Sequence, residues 1–101
     1  MKFEAGNKSY ELRYTINSIA DLEEQTKRPF SEIFKLGEFS AMRALFWAGL
    51  IDSNPKLTIR AAGQILTDYF QEGHTMDDVV SLVNAATEQA GFLEAQTAAK
   101  R

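Results

Sequence analysis

The chain has 101 residues, 45% hydrophobic and 25% charged, with 14 acidic against 11 basic side chains and a formal net charge of −3. That composition belongs to an ordinary folded domain, and the length suits one domain spanning 1–101 with a modest core. There is no cysteine, which excludes a disulfide, thiolate chemistry and a cysteine-based zinc site; the scattered basic residues offer no broad field for nucleic acid, and without a membrane-length apolar run or a signal-like N-terminus the expected setting is the cytoplasm.

Gly6-Asn7 is a turn dipeptide, and a two-residue loop there sets Phe3 opposite Tyr10, Lys2 opposite Glu11 and Met1 opposite Leu12. From Tyr10 onwards Tyr10, Leu12, Tyr14 and Ile16 alternate with Glu11, Arg13 and Thr15, the period of a half-buried antiparallel strand. A hairpin over 1–16 follows. Two strands alone are marginally stable in water, so the hairpin must lean on helices, which are expected over 17–93.

Ser18 with Asp21 has the spacing of a capping box, and Ile19, Leu22 and Thr26 make the first helical stripe, which stops before Pro29. Phe30, Ile33, Phe34 and Leu36 suggest a short second helix ended by Gly37. Ser40 is placed to cap a third, which runs to the breaker Asp52-Ser53-Asn54-Pro55. Thr58 caps a fourth, whose Ile59, Ala62, Gly63, Ile65, Leu66, Tyr69 and Phe70 share one arc, with Gly73 as its stop. Thr75 and Asp78 form a capping box for a fifth, with Met76, Val79, Val80, Val83, Ala86, Ala90 and Leu93 inward. Beyond Leu93 the stripe fails, and 94–101 is expected to fray. The fold class is mainly α with an N-terminal β-hairpin, an α+β bundle of about five helices.

The third helix is unusual in being apolar nearly all round. Met42, Leu45, Phe46, Gly49 and Leu50 form one face, Ala44, Trp47, Ala48 and Ile51 another, and only Arg43 and Asp52 interrupt. A helix of that kind is normally buried, which makes it the centre of the bundle. A domain this small also has few elements with which to cover two faces. A protein-binding patch is therefore expected around Trp47 and Ile51, flanked by Arg43 and Phe92.

Catalytic groups are sparse. The single histidine, His74, sits beside Asp77 and Asp78 at a helix start without the further ligands or nucleophile that metal or acid–base chemistry needs. Glu23-Glu24 and Asp77-Asp78 point about 100° apart as helix neighbours and read as solvated or helix-start charges. Gly49 and Gly63 fall inside apolar helical faces, where close helix packing explains them better than a phosphate loop. Arg13, Lys27, Arg28 and Arg43 would make a basic patch only if the fold gathered them. No enzyme, cofactor or metal site is expected.

Two helices joined by Asp52–Thr58 also suggest a helix-turn-helix, and hence a small regulator or adaptor, but the fourth helix offers Arg60, Gln64 and Gln71 together with Asp68, a poor recognition surface. The ordered runs Tyr10 to Gln25 (YELRYTINSIADLEEQ), Met42 to Asp52 (MRALFWAGLID) and Leu57 to Leu66 (LTIRAAGQIL) resemble the gene-transfer-agent group of phage tail assembly chaperones over roughly residues 8–70. Members commonly begin the helix after the Leu-Thr step with acidic residues, whereas here Ile59, Arg60, Ala61 and Ala62 follow Thr58. The resemblance implies a non-enzymatic protein acting in the host cytoplasm during assembly of a siphophage, prophage or gene-transfer-agent-like particle. Its implied partner is the tape-measure protein, with the tail-tube protein and self-association as further options, while the scattered charge and the lack of a membrane-length run give no expectation of nucleic acid or membrane binding.

Overall fold

Gly6 and Asn7 both take positive φ, 57° and 65°, the paired left-handed conformations whose twist suits a two-residue hairpin. They join β1 (Lys2–Ala5) to β2 (Lys8–Glu11) in the expected antiparallel register, Phe3 against Tyr10 and Lys2 against Glu11, and the Leu12 N–H extends the pairing to Met1 O at 2.8 Å. The computed structural model describes residues 1–36 and 38–91. After the hairpin come α1 (Ile16–Thr26), α2 (Phe30–Leu36), α3 (Phe39–Leu50), α4 (Ile59–Gln71) and α5 (Met76–Ala90). The fold is mainly α with an N-terminal two-stranded hairpin, an α+β arrangement of five helices among the described residues.

The hairpin ends earlier than the alternation predicts. Leu12 and Tyr14 are buried and Arg13 is exposed as expected, but the Arg13 N–H turns from β1 to Gly49 O, 2.7 Å away on α3. Residues 12–15 are thus an extended strap over a helix, and Ile16, expected to face inward, opens α1 and is 65% exposed. The first capping box lies one turn before the expected Ser18 and Asp21: the Thr15 hydroxyl accepts from Ser18 N at 3.0 Å and the Ser18 hydroxyl accepts from Thr15 N at 2.9 Å. Ser40 does not cap α3, which begins after Glu38 with no side-chain cap. Thr58 caps α4 through Ala61 N without a reciprocal acid, and the Thr75–Asp78 box of α5 forms as expected. Gly37 and Leu93, and the tail 94–101, lie outside the described residues.

α3 is the axis of the bundle and touches α1, α2, α4, α5 and β2. Phe46, fully buried, centres an aromatic group in which the Phe3 ring lies 5.2 Å from Phe46 and 5.6 Å from Tyr69, while Phe3 stacks on Tyr10 at 5.4 Å. These contacts fasten the hairpin to α3 and α4. The strap is held by a second bond: the buried Tyr14 hydroxyl donates to Leu45 O at 2.6 Å, one turn of α3 before the Gly49 carbonyl that receives Arg13. The Gly49 carbonyl is among the last four of α3, which lack helical partners; Arg13 supplies one from outside.

That approach leaves no room at Gly49. A Cβ there would stand 2.5 Å from Leu12 Cδ1 and 3.1 Å from Tyr14 Cζ, both on buried residues. At Gly63 a Cβ would meet only the Arg43 stem, at 2.9 Å, and a flexible stem can swing aside. Alanine gains up to about 1 kcal/mol over glycine in a helix, while overpacking a core costs about 1–3 kcal/mol. Gly49→Ala should therefore lose about 1–2 kcal/mol net and Gly63→Ala should be neutral or slightly stabilising, whereas Phe46→Ala should lose about 3–5 kcal/mol. Urea denaturation midpoints for the three variants check this order; equal behaviour of the two glycine variants would contradict the strap's close seating.

Candidate functional site

The second face of α3 is largely covered. Ala44 and Ala48 are buried, while Arg43, Trp47 and Ile51 are half-buried. The Trp47 indole N–H donates to Leu57 O at 2.9 Å, so the ring that the sequence marks as a binding anchor also pins the connection between α3 and α4. Ile51 is the C-cap of α3, its N–H bonded to Trp47 O at 3.1 Å. The Arg43 stem lies against Gly63 of α4, and its Nε is buried with no hydrogen-bond partner among the described residues. Phe92, the remaining expected residue, lies outside the described residues.

Phe39, Arg43, Trp47 and Ile51 succeed one another every four residues, so they form a slowly turning line along α3. The outermost member of that line is Phe39, 73% exposed. Sequence reading missed it, because a helix capped by Ser40 leaves Phe39 in the preceding loop; the four-residue spacing was the available signal. Beside Phe39 an open groove of about 530 Å³ runs between α3 and α4. Leu66 and Phe70 give it an apolar wall, Gln64 lies along it, and its charged lining residues are Arg43 and Arg60.

The other sequence-marked groups serve the fold. The His74 ring stacks on Tyr69 with centroids 3.9 Å apart, and its Nδ1 is 3.5 Å from Asp78 Oδ2. The Asp78 carboxyl is held below its ordinary range chiefly by the Thr75 N–H, with the Thr75 hydroxyl and His74 adding to the effect. Glu23 accepts the Phe30 N–H at 2.7 Å, which ties the end of α1 to the start of α2. Burial pushes the Tyr14 phenol up, away from ionisation. Among the described residues no three His, Cys, Asp or Glu side chains gather as metal ligands, and no helix is long and apolar enough to cross a membrane.

The four basic residues do not converge. Arg13 pairs with Asp52 at 3.3 Å and Arg28 with Glu32 at 3.4 Å; Lys27 is the left-handed C-cap of α1; Arg28 and Arg43 alone line a shared depression near the start of α3. The exposed side of α4 presents Arg60, Gln64, Thr67 and Gln71, one positive charge where a recognition helix would carry several phosphate contacts.

Compared with known proteins, the chain matches no family model, no curated protein and no solved structure.

The Trp47 bond is open to a direct test. Trp47→Phe keeps a ring but removes the donor to Leu57 O, so it should cost about 1 kcal/mol and lower the melting temperature by about 4–8 °C. Thermal melting by circular dichroism checks the loss. An unchanged midpoint would mean that the indole does not hold the α3–α4 connection.

Proposed function

We propose that this chain is a non-enzymatic tail assembly chaperone of a siphophage, prophage or gene-transfer-agent-like particle, which binds the tape-measure protein in the host cytoplasm and assists assembly of the tail tube around it. The observation that carries the reading is the ordered succession of Tyr10–Gln25, Met42–Asp52 and Leu57–Leu66, which resembles that family. Each run has a definite place in the fold: the first makes the end of the hairpin, the strap and α1, the second most of α3, and the third the Trp47 anchor point with the first half of α4.

The surface offers a means. A tape-measure protein is a long helical chain with an apolar stripe, and an amphipathic helix laid into an apolar groove is a common mode of recognition. The groove offers such a helix an apolar edge in Phe39, Leu66 and Phe70 beside the polar Ser40, Gln64 and Thr67, and Phe39 stands out of it. Aromatic side chains at such places commonly carry much of the binding energy. A regulator of the helix-turn-helix kind would draw on a basic α4, and a single exposed arginine supports it poorly.

Co-expression tests the proposal. The tape-measure protein encoded beside this gene should remain soluble and co-purify with the chain when both are made together, and should aggregate when made alone. Equal solubility with and without the chain, and no co-purification, would refute the chaperone role.

A further inference from the structure

The geometry points to the α3–α4 groove as the seat of an amphipathic helix whose apolar stripe is flanked by carboxylates. This assignment rests on the client-binding reading for the client's identity and on the groove itself for the client's chemistry. In a protein of net charge −3, the charged side chains that line this groove among the described residues are both arginines, Arg43 and Arg60, with no carboxylate beside them. Neither arginine takes part in an ion pair among the described residues. Among the described residues the Arg43 Nε, buried beside Gly63, has no acceptor, and a buried donor without a partner costs free energy.

The apolar contribution comes from Phe39, Leu66 and Phe70. Phe39 is 73% exposed at the mouth of the groove, so its ring is covered only when something lies against it. A helix entering along α3 would bring residues spaced three and four apart against these rings, and glutamates or aspartates at the edges of its stripe within reach of the two guanidinium groups. Guanidinium groups bind carboxylates by paired hydrogen bonds as well as by charge. A helix edged with lysine would meet like charge in the same place, so the groove discriminates as well as binds.

The test uses two labelled helical peptides with the same apolar stripe, one edged with glutamate and the other with lysine, titrated against the full chain by fluorescence anisotropy. The glutamate peptide should bind at least about tenfold more tightly, with a preference that shrinks as salt is added. Phe39→Ser should weaken its binding by about tenfold or more, and Arg60→Glu should abolish or reverse the preference between the peptides. Both substitutions fall on exposed side chains, and unchanged melting curves confirm that the variants fold. Equal binding of the two peptides, no binding of either, or wild-type binding by both variants would overturn the assignment. Co-expression of the Phe39→Ser, Arg60→Glu double variant with the tape-measure protein separates the two readings. A double variant that keeps its client soluble as well as wild type overturns the groove and leaves the chaperone role standing. Peptide discrimination by a wild-type chain that does not protect the tape-measure protein leaves the groove standing and removes the chaperone role.

Discussion

The structure depends on the close passage of one extended strap over one glycine. Residues 12–15 cross α3 at Gly49, where Leu12 and Tyr14 occupy the space that any side chain would take. The Arg13 N–H and the Tyr14 hydroxyl bond to carbonyls one helical turn apart, those of Gly49 and Leu45. Buried polar groups are costly without partners, so these bonds fix where the strap lies along the helix as well as how near. The strap continues directly from β2 and ends at the Thr15 cap of α1. The hairpin and the first helix are thereby positioned from one short contact.

The same helix explains why the groove lies where it does. The strap and aromatic group cover one face of α3. On its second face the small residues Ala44 and Ala48 are buried, Trp47 is anchored to Leu57, and the Arg43 stem lies against Gly63. What remains is the first turn of α3, where Phe39 follows an N-cap with no side-chain hydrogen bond. The groove opens near the start of the axial helix, while the opposite end carries the strap and the Arg13–Asp52 pair.

The hairpin register, the central place of α3 and the Thr58 and Thr75 caps were legible in the sequence, because turn chemistry, period and capping are local signals; the close approach at Gly49 was expected from a helix and comes instead from the extended strap. The end of β2 was not. The burial alternation runs on through Tyr14, but the hydrogen-bond partner changes from a strand to a helix, and period alone does not distinguish the two. The shift from Ser18 to Thr15 as the cap of α1 has the same cause, since the alternation assigned Thr15 and Ile16 to the strand. Of the residues that the sequence marks for binding, Arg43 lines the groove, while Trp47 and Ile51 lie farther along α3 and Trp47 is tied into the fold by a hydrogen bond to the Leu57 carbonyl, which no pattern of side chains announces. Phe39 was hidden by an attractive cap at Ser40 that the helix does not use.

On the proposed reading, a rigid hairpin-and-helix frame holds an apolar and basic groove ready for a client helix, and little rearrangement is needed for binding. Hydrogen exchange on the intact chain, with and without the tape-measure protein, tests that claim most directly. Amides in Phe39–Arg43 and Arg60–Phe70 should gain protection, with the hairpin and the strap unchanged. Protection confined to the hairpin or α5, with none along the α3–α4 groove, would contradict it.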